Sequence, residues 1–276
     1  MIYKPEIAII MRSDEILEKY KFKRHTVNTS FGPVDRCYFG KINDIEIMIV
    51  YGRFNGQKVP ADQINYQQTM EAIYNMGVKK VVGTFVVGGI KRSSNVGDLY
   101  IIRDIVGMGN YHIQVNQVDS FHNAEMYNPV CNELTLCFEC AAKKMPYKVV
   151  TDAVYVCFHG WPRIETKAEL DFYEKMGWDI VGQTIDPEAT LARLYGMCYA
   201  AIAVQIDNPN YRENEIKKIE AGKISENSMN ISQCRQRTTE LVLEFLKIST
   251  ANKCTLCKNI SRKNKSFREF PAWCYE

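Results

Sequence analysis

The chain has 276 residues, 46% of them apolar and 24% charged, which is the balance of an ordinary globular protein with length enough for one large α/β domain. No apolar run approaches the ~20 residues that cross a bilayer, and the opening MIYKPEIAII lacks a signal-peptide core, so a cytoplasmic protein with no membrane partner is expected. The net charge of +3 is uneven: from Lys247 onward seven basic residues face two acidic ones, leaving about −2 elsewhere. Such a tail reads as a solvated extension, and nucleic acid is not expected as a partner.

In chain order, Ile7–Ile10 and Ile45–Val50 read as short buried strands. Pro60 opens a helix in which Tyr66, Met70, Ile73 and Tyr74 repeat at helical spacing, and Gly77 ends it. Val78–Val87 and Leu99–Val106 are strands, followed by a helix near Asn132–Lys144 and a strand at Val149–Phe158. Thr166 and Glu169 have capping-box spacing at the head of a helix carrying Leu170, Tyr173 and Met176. After a short strand at Asp179–Thr184, Asp186-Pro187-Glu188 offers a cap residue, a first-turn proline and an acidic side chain at the positive end of a helix that Gly196 closes. Tyr199–Ile206 is a last apolar strand, and Cys234, Thr238, Leu241, Val242 and Phe245 mark a final amphipathic helix.

Strands dominate early and alternate with helices later, so the fold class is α/β with a mixed central sheet flanked by helices. One domain is expected over residues 1–248, with a basic, cysteine-containing tail at 249–276. Most of the ten cysteines sit in apolar contexts and read as small buried hydrophobes. Cys254 and Cys257 form a CxxC pair, with Cys274 beyond. Half a zinc site is one meaning of such a pair. With only Cys234 or a distant His to complete four ligands, a disulfide or plain thiols are favoured and no metal site is assigned.

The most informative stretch is Val81–Val106, where an apolar strand reaches Thr84 and Gly88-Gly89, and a turn at Gly97-Asp98 leads into a second strand. Glycine pairs at strand ends admit close backbone approach to a ligand. The order and spacing resemble the core of the purine nucleoside phosphorylase superfamily, especially the methylthioadenosine phosphorylases. The resemblance extends over about residues 7–207. It includes Pro60-Ala-Asp-Gln-Ile-Asn65-Tyr66, the segment Tyr155 to Arg163, Thr166-Lys-Ala-Glu169, Gly182-Gln183-Thr184-Ile-Asp-Pro187-Glu188 and Cys198-Tyr199-Ala200-Ala201-Ile202-Ala203.

That resemblance implies cleavage of the N-glycosidic bond of a purine nucleoside, or of a 5′-modified, methylthioadenosine-like relative. Inorganic phosphate would be the co-substrate, no cofactor is implied, and the assembly would be a homotrimer or a dimer of trimers. It places Asp207 at the purine as the catalytic group, with Pro209 where the adenosine-type branch has a second Asp. Thr184 would contact both phosphate and ribose. Around the nucleoside it implies Phe85, Val86, His122, Ile164, Glu165 and Gln183, with Trp161 an insertion and His159 replacing a Glu. On the phosphate side Met11-Arg12-Ser13-Asp14 replaces a glycine-rich loop, and Tyr51-Gly52-Arg53 replaces Arg-His-Gly. Arg12, Ser13, Arg53 and Thr84 are then the candidates beside Thr184. Two alternatives stay open: a phosphate-independent nucleosidase, suggested by Asp14-Glu15 after the first strand, and a non-catalytic nucleoside-binding or assembly homologue.

Overall fold

In the computed structural model the described residues are 3–53, 59–109, 123–160, 162–221, 231–248, 254 and 257. The strand Ile7–Met11 (β1) is buried along its whole length, and its side chains divide by alternation. Ala8 and Ile10 enter one apolar cluster, Ile7, Ile9 and Met11 another. A sheet buried on both faces must be covered by helices on both, which fixes a three-layer arrangement.

The elements run β1, α1 (Asp14–Lys19), β2 (Lys23–Val27), β3 (Val34–Ile42), β4 (Ile45–Tyr51), α2 (Tyr66–Asn75), β5 (Lys80–Gly89) and β6 (Leu99–Met108). Then follow α3 (Asn132–Ala142), β7 (Val149–Phe158), α4 (Lys167–Lys175), β8 (Ile180–Gly182), α5 (Glu188–Leu194), β9 (Cys198–Asp207), α6 (Pro209–Glu220) and α7 (Ile231–Phe245). The strands form one sheet in the order β2-β3-β4-β1-β5-β8-β7-β6-β9, and β9 also pairs with β5, so that five strands close into a ring. The sheet is mixed as expected: β1 is parallel to β4 and β5, whereas β3–β4, β5–β8 and β6–β9 are antiparallel. Helices α2 and α5 lie over the first cluster, and α3 and α7 over the second, where Phe138 and Phe245 stack at 4.1 Å.

Local signals were accurate where a cap or glycine carried them. Thr166 and Glu169 form the full capping box, and Gly77 and Gly196 close their helices with φ of +76° and +68°. Two starts shift. Pro60 opens only a short 3₁₀ turn, because Asn65 supplies the side-chain cap to the Gln68 amide at 2.9 Å and α2 begins at Tyr66. Asp186 does not cap α5; its carboxylate accepts the Thr190 hydroxyl at 2.6 Å, and Pro187 occupies the cap position. Elements β2, β3, α1 and α6 had no clear sequence signal. Only Val27 is buried in β2, β3 contains a buried Arg36 and a glycine, and α6 buries only Pro209.

Candidate active site

The carboxyl ends of the parallel strands β1, β4 and β5 lie side by side, with Met11 opposite Tyr51 and Ile10 opposite Gly83. In open α/β sheets this is where ligands sit. A cavity of about 230 Å³ occupies the position, lined by Met11, Arg12, Gly52, Arg53, Ile64, Thr84, Phe85, Val86, Thr184, Arg235 and Thr238. Among the described residues the lining includes three arginines and three threonines but no carboxylate.

Arg53 follows β4 and forms a bidentate pair with Glu188 of α5, at 2.8 and 3.1 Å, while donating to the Thr84 carbonyl at 3.0 Å. Its guanidinium carbon lies 4.2 Å from the centre of the Phe85 ring. Glu188 is 1% exposed and also accepts the Tyr199 hydroxyl at 2.7 Å. Burial disfavours the Arg53 charge, but Glu188 outweighs it and raises its pKa above the usual value. Gly83 makes room for this group: a Cβ there would stand 2.5 Å from the Tyr199 oxygen and 2.6 Å from Glu188.

Arg12 packs on Gly52, whose φ is +72° and whose place a Cβ would fill 2.6 Å from Arg12 Nε. Arg235, from α7, faces the same cavity, and its pKa is lowered by burial and then by the charge of Arg12. A guanidinium whose charge is disfavoured by a second one beside it marks a place where an anion is welcome. Behind them the buried Arg36 donates to the Gly52 and Arg53 carbonyls and to Thr69 Oγ1, and burial lowers its pKa to about 10. Thr84 faces the cavity while its hydroxyl donates to the Ile10 carbonyl at 3.0 Å, so its oxygen stays fixed in direction.

Ser13, expected as a phosphate contact, is not among the residues lining this cavity. It caps α1, accepting the Ile16 amide at 3.3 Å, and lines an adjoining hollow with Asp14, Glu15 and Tyr51. Arg12 and Arg235 border both spaces. Tyr51 has its pKa raised by burial and by the neighbouring Asp14.

A second group of expected residues gathers elsewhere. Asp207 ends β9 and is held by Arg212 of α6, at 3.0 and 3.4 Å, and the same guanidinium binds Glu165 at 3.0 Å. Gly88 exists for this pair: a Cβ would stand 2.8 Å from both Arg212 and Asp207. Gly89 likewise yields its space to the buried Gln205, whose Oε1 accepts the Tyr100 hydroxyl at 2.6 Å. The glycine pair therefore accommodates the protein's own side chains rather than a close ligand. Gln183 reaches the Arg163 carbonyl at 3.5 Å, and Ile164 is 63% exposed. None of Glu165, Gln183, Ile164 or Asp207 lines the cavity among the described residues. His159 packs with Nε2 3.4 Å from Cys157 Sγ, and burial lowers its pKa. His122 and Trp161 lie outside the described residues.

Arg235, Thr238, Glu188 and Arg212 were not anticipated in these roles. Thr238 was read as part of the apolar stripe of α7, yet Arg235 three residues before it lies on the same helical face, which is the signal that marks the pair.

The family model of the phosphorylase superfamily matches residues 6–247. The chain belongs to the phosphorylase superfamily. Within it, a probable S-methyl-5′-thioinosine phosphorylase of Thermodesulfovibrio yellowstonii is 32% identical over 188 residues, 65% of this chain and 68% of that protein. A 6-oxopurine nucleoside phosphorylase of Pyrococcus furiosus is 31% identical over 214 residues, covering 72% and 78%. The fold matches a double mutant of the adenosine/methylthioadenosine phosphorylase of Schistosoma mansoni in complex with adenine, with a TM-score of 0.76, 21% identity and coverage of 95% and 97%.

Proposed function

We propose that this phosphorylase cleaves the N-glycosidic bond of a purine nucleoside, or of a 5′-alkylthio relative, with inorganic phosphate as nucleophile. The observation that carries the reading is the cavity bordered by Arg12, Arg53 and Arg235, with Thr84, Thr184 and Thr238 and no carboxylate in its described lining. A dianion there meets charge-assisted donors, each contributing on the order of 1.5–3 kcal/mol. A nucleosidase needs the opposite, a carboxylate aimed at water, and Asp14 and Glu15 face the adjoining hollow. The names of the relatives support the same substrate class.

In this reading Arg12 and Arg235 bind the phosphate and hold it near the anomeric carbon, where correct positioning supplies much of the rate. Arg53, neutralised by Glu188, acts as a rigid wall and stacks on Phe85. Ile64, Phe85 and Val86 offer apolar surface to the nucleoside. The departing purine takes up a proton as negative charge develops on it, and Asp207 at the end of β9, acting as a carboxylic acid, is the donor assigned here, its direction fixed by Arg212, which Glu165 holds in turn. Assembly as a homotrimer or a dimer of trimers, a cytoplasmic location and a domain ending near residue 248 belong to the same proposal, supported by the resemblance.

The test measures free-base release from inosine, adenosine, methylthioinosine and methylthioadenosine with and without phosphate. Release that rises from zero with phosphate is expected. Equal release in its absence would make the protein a nucleosidase, and no release at high enzyme concentration would make it a binding homologue.

A further inference from the structure

Four cysteines from three separated parts of the chain meet on the face of the sheet covered by α3 and α7. Cys131 is the residue before α3, Cys198 opens β9, and Cys254 and Cys257 are the CxxC pair beyond α7. All four Sγ atoms lie within 4.8 Å of one another, and none of the four is in a disulfide. The expectation that only Cys234 or a histidine could complete such a set is corrected here: Cys234 lies apart, its Sγ 3.9 Å from the Gln205 carbonyl. Long-range pairing brings Cys131 and Cys198 together, since the Cys131 amide donates to the Tyr199 carbonyl at 2.7 Å.

We propose that Cys131, Cys198, Cys254 and Cys257 bind a structural zinc ion as a tetrathiolate site.

The dimensions agree. Four sulfurs about 2.3 Å from a central zinc in tetrahedral array stand about 3.8 Å apart, and these need to move little to reach it. A four-iron cluster would hold its thiolates farther apart. Sulfur-only donors exclude magnesium and calcium, which take oxygen ligands. The surroundings also fit thiolates. The Cys257 amide points at Cys254 Sγ at 3.5 Å, the local arrangement in which a CxxC turn directs an N–H to a metal-bound sulfur. Cys131 stands at the positive end of an eleven-residue helix. Cys131 and Cys257 are 1% and 3% exposed and Cys254 is half-buried, so packing shields the site in part.

Four protein ligands leave no open coordination position, so the ion has no part in glycosyl transfer. Its role is to fasten the segment after α7 to the starts of α3 and β9. Binding requires each thiol to lose its proton to solvent as a Zn–S bond forms, with no change of oxidation state.

The full-length chain, expressed with zinc in the medium and purified under mild reduction without chelator, is assayed for metal by inductively coupled plasma mass spectrometry. About one zinc per chain is expected, falling at least tenfold in Cys131→Ser and Cys257→Ser and unchanged in Cys140→Ser, an exposed thiol outside the group. Because the buried variants can fail to fold, the wild type is also treated with a mercurial while a metallochromic dye records release. The mercury is then displaced with excess small thiol and removed, and the protein is reloaded with cobalt(II), whose thiolate charge-transfer band and intense tetrahedral visible bands are expected. A metal-free protein that takes up neither zinc nor cobalt, a peptide map showing disulfides among these four cysteines, or iron in place of zinc would each overturn the assignment. So would zinc retained in full by Cys257→Ser.

Discussion

Two regions at the carboxyl ends of the strands, the cavity and the end of β9, are built on opposite electrostatic plans. At the ends of β1, β4 and β5, arginines and hydroxyls face a cavity whose described lining has no acid. At the end of β9, Asp207, Arg212 and Glu165 are mutually satisfied, two carboxylates sharing one guanidinium. The first presents cationic and hydroxyl groups to open space, and the second satisfies its charges internally. Glu188 neutralises Arg53 from behind, and in the proposed reading the phosphate is met by Arg12 and Arg235.

The largest effect expected is on stability. Glu188→Ala leaves Arg53 buried without its partner, and breaking such a pair costs about 3–5 kcal/mol. Denaturant titration should show that loss, and an unchanged midpoint would break the view that Arg53 is a closed pair.

Next comes phosphate affinity. Arg12→Ala or Arg235→Ala should raise the KM for phosphate on the order of 10- to 100-fold, as expected for loss of about 1.5–3 kcal/mol of charge-assisted bonding, with a small effect on the KM for nucleoside. Steady-state kinetics with each substrate varied in turn distinguishes this from a general loss of folding.

A smaller and complementary effect belongs to the other end. Arg212→Met frees Asp207 and Glu165 to move apart, and kcat should fall by roughly tenfold, about 1.4 kcal/mol, while the KM for phosphate stays put. A change confined to phosphate would merge the two ends into one.

The smallest effect is a pH dependence on the capping box of α4. Arg163, and then the Thr166 amide, lower the pKa of Glu169 from 4.5 to about 2. A lowered carboxylate pKa means that its contribution is fully present above 4.5 and is lost as pH falls toward 2. Glu169→Gln should therefore flatten the acid limb of the Tm profile between those values and leave the kinetics at neutral pH unaltered, as differential scanning fluorimetry can check.

Much of this architecture was legible in the sequence, but unevenly. The buried strands announced themselves as apolar runs, and Thr166, Gly77 and Gly196 marked helix ends because each does a local job, whereas α2 starts at its Asn65 cap and not at Pro60. Within the site, Arg12, Arg53, Thr84, Phe85, Val86 and Thr184 were named and do meet in one cavity. What could not be read was the partner at a distance. Glu188 is separated from Arg53 by 135 positions and Arg212 from Glu165 by 47, and only the closed sheet makes them neighbours. Gly83 and Gly88 show the same limit, since the need for a missing Cβ comes from Tyr199 and Glu188 at one and from Arg212 and Asp207 at the other.

The central claim is that the arginine-lined cavity delivers phosphate to the anomeric carbon. Phosphorus NMR of the reaction mixture with methylthioinosine or inosine tests it most directly. The account predicts that the inorganic phosphate resonance declines as a sugar 1-phosphate resonance grows in step with free base, and that Arg12→Ala slows both together. Release of base with the phosphate resonance unchanged and free sugar accumulating would contradict it.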